Sequence, residues 1–253
     1  MTETRPSLRA ERHWAGPGGP WTFDVWGSTG RPVLCLHGLT LDRSSWWPAA
    51  AQLAAECTVI AVDLPGHGGS PDRLNYPLPA LVDELAALLA HLDLRRAPIV
   101  VGHAESALLA TMFGTAFATH AVVAVEPETQ LAPPDGTAVD TLAAGLGVDS
   151  LPPAHRPLAA PRPDPAILSR YLQSRNDLTG PDPRHHLATL LRRIRAPYLS
   201  VFGRLPWPGY REWLRRLNPN ARCAVYGTRS RLPQLADTPR FVADLRSLRL
   251  TRR

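Results

Sequence analysis

The chain has 253 residues, 44% of them hydrophobic and 20% charged, which suits one large α/β domain and excludes a chain disordered throughout. The net charge of +6 is uneven: residues 1–183 carry 12 arginines against 19 acids (−7), and residues 184–253 carry 16 against 3 (+13). All 28 basic residues are arginine, so a lysine Schiff base, and with it the usual anchoring of pyridoxal phosphate, is excluded.

The basic C-terminal part reads either as a solvated face or as a site for an anionic ligand. No nucleic-acid motif accompanies it, so no nucleic-acid partner is expected. No apolar run of about 18 residues is present and no membrane association is expected. The start, Thr2-Glu3-Thr4-Arg5-Pro6, has no apolar stretch of the secretory kind after it. Cys35, Cys57 and Cys223 are far apart and odd in number, which fits buried thiols in a reducing cytoplasm. No metal site and no cofactor are expected.

In chain order, the first apolar run, residues 31–38, ends in glycine and predicts a buried strand and a turn. Residues 57–63 predict a second strand. Residues 78–92 have apolar positions at a helical period, with Asp83 and Glu84 on the polar side. A third strand over 97–103 runs directly into a helix over 104–117, and a fourth strand covers 121–126. Residues 127–190 break the rhythm with prolines (Pro133, Pro134, Pro152, Pro153, Pro161, Pro163, Pro165) and a short helical piece at 166–173. This stretch reads as a cap inserted over the carboxyl ends of the strands, or as a flexible insertion without a role. Strands at 198–203 and 221–227 and a helix over 236–248 complete the pattern. Apolar strands alternating with helices predict a mostly parallel sheet covered on both faces. The expected division is a core of residues 1–126 and 191–253 with a cap of 127–190.

Three motifs resemble the α/β-hydrolase fold. His37-Gly38-Leu39-Thr40 follows a strand like that family's oxyanion loop, and Asp63-Leu64-Pro65-Gly66-His67-Gly68-Gly69-Ser70 resembles its D-x-x-G-x-G-x-S loop. Gly102-His103-Ala104-Glu105-Ser106 stands where the family has its G-x-S-x-G elbow. The resemblance places the nucleophilic serine at Ala104, the acid after the strand that continues as Arg204-Leu205-Pro206, and the histidine at Ser230. The last histidine in the chain is His186, so the serine–histidine–acid set is missing from all three places. The chain also resembles, distantly, the triad-less peptide epimerase family of the bottromycin pathway.

The resemblance further implies an oxyanion hole made by the backbone N–H groups of Leu39 and Glu105, which outlasts the loss of side chains. Candidate proton movers are Glu105, Glu126 and His103. Each has a plainer reading: a solvated carboxylate, a strand-end carboxylate with local hydrogen bonds, and a ring packed behind the elbow. His37, Thr40, Trp46 and Ala104 are expected around the substrate. Arg204, Arg229, Ser230 and Arg231 are expected at a cationic rim, with the arginines holding carboxylates or facing water. Trp46 and Trp47, and Trp207, Tyr210 and Trp213, suit a pocket mouth or the core equally.

The function expected is a non-hydrolytic enzyme that abstracts a proton α to a carbonyl, of epimerase or isomerase type, on a bulky acidic small molecule or natural-product peptide. Two alternatives stay open. One is an inert pseudoenzyme binding an acidic hydrophobic ligand. The other is a hydrolase whose nucleophile is displaced, for example to Ser106, or engineered out at Ala104. The oligomeric state is not legible.

Overall fold

The structure, a computed structural model, describes residues 9–127, 145–160, 164–180 and 182–249. The apolar run at 31–38 supplies β3 (Arg31–Leu36), whose side chains alternate between two buried faces. Leu34 and Leu36 enter one core and Val33 and Cys35 the other. β4 (Cys57–Val62), β5 (Ile99–His103), β6 (Ala121–Val125) and β7 (Tyr198–Phe202) are buried along their whole length in the same way. This is why they read as continuous apolar runs.

The sheet has eight strands in the order β1-β2-β4-β3-β5-β6-β7-β8, with β8 at Arg222–Val225. All pairs from β4 to β8 are parallel, while β2 (Gly19–Trp26) runs antiparallel to both β1 (Arg9–Gly16) and β4. The β1–β2 hairpin carried no expectation. β1 is an edge strand with exposed residues over Ala10–His13 and none fully buried, so it lacks the apolar signature of its neighbours.

One face is covered by α1 (Trp47–Leu53) and the terminal helix α8 (Thr238–Arg249). The other is covered chiefly by α2 (Leu78–His91) and α3 (Ser106–Ala116), joined by α4 (Pro165–Thr179), α5 (Pro183–Arg193) and α6 (Tyr210–Leu217). α7 (Pro233–Ala236) is a single turn before α8. Helical periodicity put Glu84 on the polar side of α2, yet it is only 6% exposed. The indole of Trp21 donates to it at 2.7 Å and Arg73 pairs with it at 2.8 Å, which offsets the cost of burying the carboxylate.

Between β6 and β7, the helix expected over 166–173 is longer and runs to Thr179, because Gly180 at positive φ supplies the stop that Gln173 does not. Residues 128–144, 161–163 and 181, including the expected prolines Pro133, Pro134, Pro161 and Pro163, lie outside the described residues. Among the described residues, no helix is long and apolar enough to cross a membrane, and no group of three or more His, Cys, Asp or Glu is placed to hold a metal ion.

Candidate carbonyl-binding site

The turn from β5 into α3 is tight. A Cβ at Gly102 would lie 2.1 Å from the backbone oxygen of Ser106, so only glycine lets strand and helix approach this closely. Ala104 sits at the apex with φ +51°, a left-handed conformation costing an alanine about 1 kcal/mol. It is held there by its N–H donating to Val125 O at 2.8 Å. Strain of this kind exposes the apex side chain, and here that side chain is a methyl group.

Backbone polarity at this turn is decided by its hydrogen bonds. Ala104 O accepts from Ala107 N at 2.9 Å. In a trans peptide C=O and N–H point opposite ways, so the N–H of Glu105 faces away from α3, at the positive end of its dipole. The loop after β3 is arranged alike. Gly38 O accepts from Leu41 N at 2.9 Å and from His37 Nδ1 at 2.9 Å, and Leu39 O accepts from His67 Nε2 at 2.9 Å. The N–H of Leu39 is therefore turned out of its own loop. Neither Leu39 N–H nor Glu105 N–H has an acceptor among the described residues. The loops adjoin, since a Cβ at Gly38 would lie 3.5 Å from the Ala104 Cβ.

The D-x-x-G-x-G-x-S loop braces this arrangement. Asp63 accepts from Gly69 N at 2.7 Å and Arg43 N at 2.9 Å, and Leu64 N donates to His37 Nε2 at 3.0 Å. His37 is thus the Nδ1–H tautomer, with both nitrogens engaged. Burial, then the neighbouring His67, push its pKa down to about 3. His37 is a loop brace and lines neither cavity described below.

Two small cavities lie against the turn. One, of about 10 Å³, is bounded by Leu39, Glu105, Ser106, Tyr171, Leu172 and Arg175, among others. The second, of about 20 Å³, is bounded by Ala104, Glu105, Leu108, Pro127, Arg175 and Leu187, among others. Leu39 and Ala104 each share a cavity with Glu105 at this turn. Arg175 was not anticipated. It lies one helical turn beyond Tyr171, and the helix expected from sequence ended at Gln173, two residues short of it.

The other expected residues lie elsewhere. His103 is 1% exposed; its Nε2 donates to Arg231 O at 3.0 Å, its Nδ1 has no partner among the described residues, and burial lowers its pKa to about 4. Glu126 adopts φ +48°, and its Oε1 accepts from Gly203 N at 2.5 Å. Burial raises its pKa, opposed by the Gly203 and Arg204 backbone N–H bonds and the two guanidinium groups nearby. It fastens the exit of β7 and borders neither cavity. Thr40 is buried and borders neither.

Trp46 stacks on Phe241 in the core on the far face of the sheet, so it is a core side chain and not a pocket wall. Tyr210 is likewise buried, in an aromatic group with Trp207 and Trp213. Ser230 is fully buried and donates to Leu146 O at 2.8 Å. Arg204 is exposed and bonds Arg229 O at 2.6 and 2.9 Å; Arg229 and Arg231 are also exposed. None of these four borders either cavity, because the loops after β7 and β8 are closed onto each other and onto Leu146.

A profile described as "Alpha/beta hydrolase family" matches residues 33–250. Among curated proteins, the chain is 42% identical over 82 residues to a dihydrolipoyllysine-residue acetyltransferase component of an acetoin cleaving system from Pseudomonas putida, covering 32% of this chain and 22% of that protein. It is 32% identical over 120 residues to a serine hydrolase-like protein from Danio rerio, covering 46% and 36%. The matched segments thus span about a fifth to a third of these relatives. Among solved structures, a variant of AqdC, described as recognising and cleaving the ring of the Pseudomonas quinolone signal, superposes with TM-score 0.81 at 14% identity, covering 95% of this chain and 99% of that one.

Proposed function

Since the chain belongs to the alpha/beta hydrolase family, we propose that it keeps that family's amide pocket without its hydrolysis. It binds a carbonyl oxygen at the N–H groups of Leu39 and Glu105 and moves the proton α to that carbonyl. The reaction is of epimerase or isomerase type, on a bulky acidic substrate such as a natural-product peptide, of which only the carbonyl enters the turn, since the cavities there hold about one water each. The observation that carries this reading is the pair of unpartnered amides beside Ala104. Donors so placed stabilise negative charge on oxygen however it arises, whether in a tetrahedral adduct or an enolate. A methyl group at the apex forms no acyl bond, which leaves the enolate.

Glu105 is the proton mover in this reading, because it borders both cavities while Glu126 and His103 border neither. Its carboxylate takes the α-proton, the electron pair passes to the carbonyl oxygen, and proton return from the carboxylic acid or from solvent restores the C–H bond. The segment 127–190 serves as the cap, contributing Tyr171, Leu172 and Arg175. The three free cysteines agree with a reducing cytoplasm.

The test is incubation with acidic peptide esters and thioesters in deuterium oxide, followed by mass spectrometry and NMR. Deuterium at the α-carbon without loss of the ester supports the reading. Released acid and alcohol point to a hydrolase, and tight binding of an unchanged, unlabelled ligand to an inert binding protein; either outcome overturns it.

A further inference from the structure

We propose that Arg175 anchors a carboxylate of the bound molecule, next to the carbonyl held by Leu39 and Glu105; this rests on the reading of the amide pair given above. Arg175 is 8% exposed and is the one arginine among the described residues less than a tenth exposed. Its Nε and Nη2 reach only the side-chain oxygen of the adjacent Asn176, at 3.3 and 3.2 Å, and Nη1 makes no hydrogen bond among the described residues.

No carboxylate among the described residues pairs with it. The other deeply set arginines are different: Arg43, with its side chain 12% exposed, pairs with Glu11, Asp24 and Asp63, and Arg73, also 12% exposed, pairs with Glu84. A largely buried guanidinium without a counter-ion favours uptake of an anion. A fold that supplies carboxylates to Arg43 and Arg73 leaves this partner to be brought from outside.

Position identifies the partner. Arg175 and Glu105 border the same two cavities, with no ion pair between them. The planar guanidinium fork matches a carboxylate in two parallel bonds. A carboxylate brings one negative charge beside Glu105, where a phosphate would bring up to two. The occupant is thus an oxo acid or an acyl compound with a carboxylate close to its carbonyl. The exposed Arg204, Arg229 and Arg231 border neither cavity and are not this anchor.

The test is calorimetric titration of the full chain with pyruvate, acetoacetate and levulinate, each against its neutral amide, and with inorganic phosphate. At least one acid is expected to bind about tenfold tighter than its amide, or about 1.4 kcal/mol. Arg175→Gln abolishes that preference and Arg175→Lys, which keeps the charge but not the fork, retains part of it. Should both variants fail to fold, phenylglyoxal modification of the unaltered protein with peptide mapping gives a second measurement: the acid protects Arg175 and the amide does not.

Equal binding of acid and amide, binding of none of the acids, phosphate binding tighter than every acid, or a preference unchanged in Arg175→Gln overturns the assignment. Acid preference without α-proton exchange removes the proton-transfer reading alone. Exchange without acid preference removes the anchor alone.

Discussion

The hydroxyl of Ser106 donates to the main-chain carbonyl of His37 at 2.6 Å. This bond joins the first turn of α3 to the loop that presents Leu39, so it couples the two amides of the site. It also commits the hydroxyl nearest the elbow. With Nε2 of His37 accepting from Leu64 N, that imidazole is not free to activate the oxygen.

Ser106→Ala is accordingly expected to lower stability by about 1–2 kcal/mol, since it leaves a buried carbonyl without this donor. A serine-directed fluorophosphonate probe is expected not to label the unaltered protein, as read by intact mass. A single covalent adduct at Ser106 would restore the displaced-nucleophile alternative.

At the apex, Ala104→Ser is expected to give no esterase activity on p-nitrophenyl acetate above the unaltered protein, because the one imidazole beside it, His103, is held by the carbonyl of Arg231 and has no orienting acid. Ala104→Gly is expected to raise stability by up to about 1 kcal/mol through relief of the φ +51° strain. Urea denaturation measures the second effect, and a destabilised glycine variant would show that the turn is not strained.

The two carboxylates near the elbow separate by role. Glu105→Gln is expected to reduce α-proton exchange by about a hundredfold or more, with the fold intact by circular dichroism. Glu126→Gln keeps an acceptor for Gly203 N and leaves exchange within a few-fold. Glu126→Ala costs about 1–3 kcal/mol of stability by stranding that buried N–H. If Glu126→Gln abolished exchange and Glu105→Gln did not, the proton mover would be reassigned.

Acid weakens the fold through its buried histidines. His37 and His103 titrate near 3 and 4 when folded, against 6.5 when unfolded. Between these limits the unfolded chain holds more protons, so the stability due to neutral rings is complete above pH 6.5 and is lost as pH falls towards 4. His103→Gln keeps a donor for Arg231 O and removes one titration. Its stability is expected to fall less steeply between pH 6 and 4.5, by about 1 kcal/mol per pH unit. Identical slopes would mean that the ring is not buried neutral.

Legibility differed by kind of feature. The buried strands β3 to β7 were visible because both of their faces are apolar, and the helices α2 and α3 because one stripe is. The hairpin of β1 and β2 was not, because the edge strand β1 is largely exposed and the buried run of β2 is interrupted by Thr22 and Asp24. Leu39, Ala104 and Glu105 could be placed together only through the resemblance of their motifs to the family's oxyanion loop and elbow; the close approaches at Gly38 and Gly102 belong to the structure. Trp46, Ser230 and Arg204 could not be placed: whether a tryptophan faces a pocket or a core, or an arginine a ligand or a carbonyl, depends on neighbours far away in the chain.

The sequence by itself determined the layered α/β architecture and the turn that carries Ala104. These are local matters of periodicity, punctuation and side-chain chemistry. Only the tertiary structure decided which charged groups stand against the site. Burial and pairing are properties of elements brought together in space: a helix between β6 and β7 carries Arg175 to the mouth of α3, while Arg204 is drawn away to Arg229 O.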